Sequence, residues 1–225
     1  MKLHFIGADH EVTGSLHLLD VCGLKIAVDM GMEQGENLYQ NAELPVKYAD
    51  IDDILLTHSH IDHAGMIPFA YKNGFNGTVL CTKATAELAD IMLRDSAHIQ
   101  MSDAEYHNRK ARRAGQKTIE PIYDVFDADG VMKHFRSVDY HELVELGDGV
   151  SARFIDAGHL LGSASIELFI SESGISKKLV FSGDIGNFGK PLIRNPEYIH
   201  EADYVIMEST YGNRLHKTGI DHMED

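Results

Sequence analysis

Thr57-His58-Ser59-His60-Ile61-Asp62-His63-Ala64-Gly65 is the stretch on which the fold of this 225-residue chain turns. Ahead of it, Ile54-Leu55-Leu56-Thr57 is a short apolar run of the kind that forms a strand buried on both faces. Behind it, residues 64–72 carry helical spacing and stop near Asn73-Gly74. In an extended chain His58 and His60 project to the same side, so both rings reach one ion. Asp62 and His63 fall where the chain turns into the helix and can face a second ion nearby. Imidazole together with carboxylate suits zinc, and the same donors admit other first-row divalent metals. Unrelated surface groups are a poor explanation for so dense a set of donors directly after an apolar strand.

Two later segments repeat the pattern of a donor at a strand end beside glycine. They are Asp156-Ala157-Gly158-His159 and Phe181-Ser182-Gly183-Asp184. Glycine lets the backbone come close to the site, and a carboxylate such as Asp184 can bridge two cations about 3.5–4 Å apart. Strand patterns are read at 2–6, 15–21 and 24–29, with Cys22-Gly23 as a hairpin turn, and again at 78–82, 150–156, 163–170, 178–182 and 204–208. Helical patterns cover 83–113 and 128–137. Strands early, helices between and strands again late predict an α/β fold, an αββα sandwich of two packed mixed sheets flanked by helices.

Composition narrows the function classes. The net charge is −15, with 44% hydrophobic and 24% charged residues. That charge opposes a broad phosphate-binding surface, although acids that ligate cations are neutralised and net charge does not describe a cleft. Fourteen histidines are many for this length, and their clustering points to metal. Cys22 and Cys81 form no CxxC pair, which fits a reducing cytoplasm. No apolar run approaches the roughly 20 residues of a membrane span, so no membrane partner is expected. Arg109-Lys110-Ala111-Arg112-Arg113 reads first as a solvated helix end, with cations favoured at its C-terminus, and second as a nucleic-acid contact.

His58-Ser59-His60-Ile61-Asp62-His63, then His159, then Asp184 resemble the HxHxDH…H…D pattern of metallo-β-lactamase-fold hydrolases. The resemblance implies that His58, His60 and His159 hold one zinc, that Asp62 and His63 hold a second, and that Asp184 bridges the two. Asp29, in Val28-Asp29-Met30-Gly31, matches an aspartate that supports the metal loop by hydrogen bonding rather than binding metal. Flavodiiron-type relatives have an acid where this chain has His60, which favours zinc hydrolysis over oxygen reduction.

Three segments resemble the β-CASP ribonuclease branch in particular. They are Gly7-Ala8-Asp9-His10-Glu11-Val12-Thr13-Gly14-Ser15, Gly158-His159-Leu160-Leu161-Gly162-Ser163-Ala164 and Glu208-Ser209-Thr210-Tyr211-Gly212-Asn213-Arg214. The implied activity is RNA phosphodiester hydrolysis of the mRNA-processing type, by a zinc-bound hydroxide, with single-stranded RNA as partner. Asp62 would orient the nucleophile, Asp184 would hold the metal pair, and Glu208 would orient a histidine that protonates the leaving oxygen. The resemblance assigns residues 1–208 to the hydrolase domain and 209–225 to the start of an inserted domain. Because that branch takes its acid histidine and a further ligand from beyond the insertion, the sequence reads as a fragment or a reduced homologue, incomplete at the C-terminus. His216 and His222 make poor preorganised substitutes. A homodimer is left open. The rival readings are a glyoxalase II-like esterase or thioesterase on the same fold, and a metal-binding scaffold subunit.

Overall fold

The computed structural model describes residues 1–35, 41 and 43–213. Strands β1 (Lys2–Gly7), β2 (Leu16–Val21) and β3 (Leu24–Val28) form an antiparallel meander. The β2–β3 turn places Cys22 and Gly23 at φ 51° and 82°, as a two-residue hairpin loop of the I′ type requires. Strands β4 (Asp53–Leu55), β5 (Thr78–Thr82) and β6 (Phe135–Val138) extend this sheet in parallel. The second sheet is an antiparallel run of β7 (Leu143–Gly147), β8 (Val150–Asp156), β9 (Ala164–Glu172) and β10 (Ile175–Phe181). It closes on β11 (Tyr204–Ile206), parallel to β10. Both sheets are therefore mixed.

The sheets pack face to face. Val28, Leu55 and Leu80 of the first meet Phe154, Ile166 and Leu168 of the second. The alternate residues Ile54, Leu56 and Val79 turn the other way, onto α1 (Ile61–Ala64), α2 (Ile67–Lys72), α3 (Lys83–Arg113) and α4 (Val125–Val131). Ile54, Leu55 and Leu56 are each 0% exposed, and this two-sided burial explains an apolar run without polar alternation. Each such side chain contributes about 1.5–3 kcal/mol on burial. The β4 run thus holds the histidine loop on a rigid strand end.

Helix α3 is capped by the Thr82 hydroxyl, which accepts from the Thr85 amide. It buries Thr85, Ala89, Leu93, Ala97 and Ala104, a narrow stripe of mostly small residues that lets the helix lie close to the sheet. Among the described residues no helix follows β6, and none crosses a membrane by length and apolarity. The helical layer of the expected sandwich is thus present on one side. On the second sheet Glu167 is buried between Arg153 and Lys178, and residues 185–203 run from β10 to β11.

Strand ends differ from the expected bounds by up to three residues, and three elements differ by more. The helix at 128–137 is α4 at Val125–Val131, begun by a reciprocal Asp124–Asp127 capping box, and residues 135–138 instead pair with β5 as edge strand β6. Strand β7 was absent from the sequence reading because its outward residues, Leu143 and Glu145, mix apolar and charged side chains at a sheet edge. The helix at 64–72 starts at Ile61 and divides at Gly65-Met66, so Asp62 and His63 lie on a helical turn.

Candidate metal centre

All the strand-end residues singled out in the sequence lie at one edge of the sandwich. The first sheet supplies Asp29 after β3 and His58–His63 after β4. The second supplies His159 after β8, Asp184 after β10 and Glu208 after β11. Carboxyl ends of parallel strands are where open α/β sheets gather their ligands. The sheets are tied there by the Ala164 amide, which donates to the Thr57 carbonyl at 2.8 Å.

His58, His60, His159 and Asp184 bring one donor atom each to within 4.8 Å of one another. His58 Nε2 lies 3.1 Å from His60 Nδ1, and His60 Nδ1 lies 3.3 Å from His159 Nε2. Asp184 Oδ2 is 3.8 Å from His58 Nε2 and 3.5 Å from His159 Nε2. A tetrahedral zinc with bonds of about 2.0–2.1 Å has donor–donor edges of about 3.3–3.4 Å. The donor set and its spacing fit such an ion. Beside this quartet, Asp184 Oδ1 faces His63 Nε2 at 3.2 Å, and Asp62 Oδ2 stands 3.9 Å from the same nitrogen. Asp62 and His63 are thus adjacent to the quartet and outside it.

The protonation states follow from what surrounds the rings. Burial lowers the His58 pKa well below its ordinary value, and neighbouring His63 adds to this. Burial also lowers His159. Both rings are therefore neutral near pH 7, as ligands must be. Thr57 gives its single hydroxyl proton to Asp29, at 2.9 Å, so it accepts from His58 Nδ1–H at 3.1 Å. That assignment leaves His58 Nε2 with its lone pair toward the quartet. His63 behaves oppositely: burial alone would lower its pKa, but the Asp29 and Asp184 carboxylates raise it to about 10. Burial opposes ionisation of Asp184 as well, yet His63, His58 and His159 hold it far below the carboxylate range.

Asp29 is 2% exposed and accepts from the Thr57 amide at 2.8 Å, the Thr57 hydroxyl and His63 Nδ1 at 2.7 Å. Its φ of 59° bends the chain so that residues 30–32 run beside the histidine loop. Met30 N donates to the His63 carbonyl and Met32 N to that of Ile61. Gly31 permits this approach, since a Cβ there would lie 1.7 Å from the Asp62 carbonyl oxygen. Glu208 accepts from the Ile185 amide at 2.8 Å, which couples it to the residue after Asp184.

Sequence reasoning missed the groups that shape the His159 loop. Ser163 Oγ accepts from the His159 and Leu160 amides, and the Tyr140 hydroxyl donates to the Ser163 carbonyl at 2.9 Å. The Thr82 and Thr85 hydroxyls both donate to the Gly162 carbonyl, at 2.7 and 2.8 Å. Hydroxyls 23, 77 and 80 residues away leave no local signal; only Ser163, within the quoted Gly158–Ala164 segment, could have been noticed.

A two-sheet sandwich with this donor quartet at its strand ends defines a domain of the metallo-β-lactamase fold with a candidate metal site, and comparison with known proteins gives the same fold and superfamily. The family described as "Metallo-beta-lactamase superfamily domain" matches residues 18–182, and the chain belongs to that superfamily. A ribonuclease of Thermus thermophilus is 36% identical over 218 residues, covering 96% of this chain and 45% of that protein. Transcription termination factor FttA of Methanosarcina mazei is 29% identical over 219 residues, covering 95% of this chain and 32% of that protein. The chain therefore spans less than half the length of these curated relatives. They are members of the β-CASP branch, the branch that the opening loop and the Glu208 segment resemble. A metallo-β-lactamase of Cronobacter sakazakii superposes with TM-score 0.50 at 22% identity, covering 86% of this chain and 63% of that one, which shows the fold alone.

Proposed function

We propose that the protein hydrolyses RNA phosphodiesters, single-stranded RNA above all, with two zinc ions held by His58, His60, Asp62, His63, His159 and Asp184. Residues 1–208 are the hydrolase domain in this reading, and 209–225 open a further one; residues 214–225, with Arg214, His216 and His222, lie outside the described residues. An RNA substrate fits a cytoplasmic location. The observation that carries the reading is the division of the Asp184 carboxylate. One oxygen turns to the His58–His60–His159 trio and the other to His63. A carboxylate so placed offers one oxygen to each of two ions. Bound zinc would supply Lewis acidity for the phosphoryl oxygens and a water of lowered proton affinity at neutral pH.

The chain's own residues do the rest. Asp62, 23% exposed at its side chain and beside His63, would accept a hydrogen bond from the nucleophilic water and orient it. Asp29 holds His63 in the tautomer whose Nε2 is free once its proton is lost. Glu208, fixed by the Ile185 amide, is the positioning carboxylate for a leaving-group acid. RNA as substrate rests on the names of the relatives and on the Ser-Thr-Tyr-Gly segment after Glu208.

The test is metal analysis beside turnover of single-stranded RNA, S-lactoylglutathione and bis-p-nitrophenyl phosphate. About two zinc ions per chain and cleavage of RNA are expected of a chain extended through that further domain; residues 1–225 alone are expected to hold the second ion weakly and to cleave poorly. Unchanged zinc content in the His58→Ala, His60→Ala double variant would overturn the ligand assignment. Fast thioester turnover without RNA cleavage would move the reading to the glyoxalase II-like class.

A further inference from the structure

An open cleft of about 790 Å³ runs beside the metal centre, with His63, Asp184 and Glu208 along it. Its remaining ionisable side chains are largely acidic, Asp9, Glu11 and Asp29 among them. An anionic substrate entering such a cleft needs hydrogen-bond donors. Three histidines line it: His10, His17 and His63. His10 is paired with Asp9, and His63 with Asp29 and Asp184. His17 is different. Among the described residues it has no hydrogen-bond or ion-pair partner, and neither of its ring nitrogens is a sealed, unsatisfied atom. The residue is partly buried and lines the cleft, so an unpartnered ring nitrogen stands at the cleft wall.

The ring is nonetheless held in place. His17 stands on β2 opposite Val28 of β3, one residue before Asp29. Phe5 packs edge-on against it with centroids 5.4 Å apart and an interplanar angle of 81°. Phe181 does the same from the second sheet at 5.6 Å and 63°. On this strand the residues on the same face, Leu19 and Val21, are buried core side chains between the sheets. An imidazole thus takes the last position of an otherwise apolar stripe, where a leucine would close the core as well. Burial lowers its pKa, so near neutral pH the ring is neutral, with one N–H donor and one lone pair. Two flanking phenylalanines fix its orientation, so little side-chain entropy is lost when it binds.

We propose that His17 is a substrate-contacting residue whose ring N–H donates a hydrogen bond to a non-bridging phosphate oxygen of the nucleic-acid strand lying in the cleft. The assignment rests on the ribonuclease reading above and adds to it a binding contact that is not a metal ligand. No bond is made or broken at His17. Its contribution is to ground-state binding and strand placement, so it acts on KM rather than on kcat.

The experiment compares the full-length zinc-loaded protein with its His17→Phe and His17→Gln variants. His17→Phe keeps the aromatic packing and removes both nitrogens, whereas His17→Gln restores a donor at similar reach. The measurements are zinc content, KM and kcat on a single-stranded RNA oligonucleotide, and the Kd of the same oligonucleotide by fluorescence anisotropy in EDTA. His17→Phe is expected to raise KM and Kd about tenfold, with kcat within about threefold and zinc content unchanged, as for loss of one charge-assisted hydrogen bond. His17→Gln is expected to recover most of that loss. Wild-type KM and Kd in His17→Phe would overturn the proposal and leave the ribonuclease reading standing. A fall in zinc content with no change in Kd would also overturn it, because His17 would then act through the metal centre. A wild-type protein that turns over a thioester and not RNA would refute the ribonuclease reading, and the phosphate contact with it.

Discussion

Replacing Asp29 by Asn changes one atom and reverses the hydrogen-bond logic of half the proposed metal centre. Asp29 Oδ1 accepts from the Thr57 amide at 2.8 Å, and Oδ2 accepts from His63 Nδ1 at 2.7 Å. An asparagine that keeps its oxygen toward Thr57 turns its NH2 toward His63. The ring must then accept at Nδ1 and carry its proton on Nε2, the nitrogen that faces Asp184 at 3.2 Å. A protonated Nε2 cannot ligate a metal. If the amide flips instead, two N–H groups confront each other at Thr57, and the buried unsatisfied donor costs about 1–3 kcal/mol. Either way the second metal position proposed for His63 and Asp62 weakens. Partners of metal-bound histidines are typically worth 10–100-fold in affinity, or about 1.4–2.7 kcal/mol. The His58–His60–His159 position should be affected far less, because His58 takes its tautomer from Thr57. Competition against a zinc chelator, with stoichiometry by mass spectrometry, should show two sites in the wild-type protein extended through the further domain. In Asp29→Asn it should show one retained and one weakened by that factor. Two sites of unchanged affinity would refute both the tautomer argument and the role given to Asp29.

Three further outcomes follow from the packing. Gly31→Ala should prevent residues 29–32 from lying against the histidine loop, since its Cβ would meet the Asp62 carbonyl at 1.7 Å; loss of zinc together with a lowered Tm is expected. Glu167→Gln removes the charge that Arg153 and Lys178 share at a site 2% exposed; because both cations keep contact with solvent, urea denaturation should record a loss of about 1.5–3 kcal/mol at pH 7. Burial works against the Glu167 carboxylate, but those two cations hold its pKa below the ordinary value. The stabilisation it provides is therefore present above the unfolded pKa and is lost as pH falls through the folded one. Asp53 has the opposite sign: burial first, then Asp52, raises it to about 6 against an ordinary 3.8, so the stability of its protonated form is complete below about 3.8 and is lost as pH rises through 6. Asp53→Asn should raise Tm above pH 6.5 and leave it unchanged near pH 3.5, as calorimetry at the two values can check.

Much of this molecule is local in origin. The run Ile54-Leu55-Leu56 must be buried on both faces wherever it sits, so a central strand could be read from it, and donors at its end had to lie at a sheet edge. Turns such as Cys22-Gly23 and the long stripe of α3 are likewise set by residues close in sequence. Tertiary packing decided the rest. Nothing in residues 128–138 separates helix from strand until β5 offers an open edge to pair with, and β7 becomes a strand only beside β8. No spacing rule joins His159 to His60 across 99 positions at 3.3 Å, or turns one oxygen of Asp184 to each side. Tyr140, Thr82 and Thr85 act on the His159 loop from other strands and a helix, and His17 looks in sequence like any polar residue in an alternating strand. The physical reason is range. Propensity and periodicity are properties of neighbours along the chain, whereas protonation states, donor geometry and an unpaired imidazole facing a cleft depend on groups that only folding brings together.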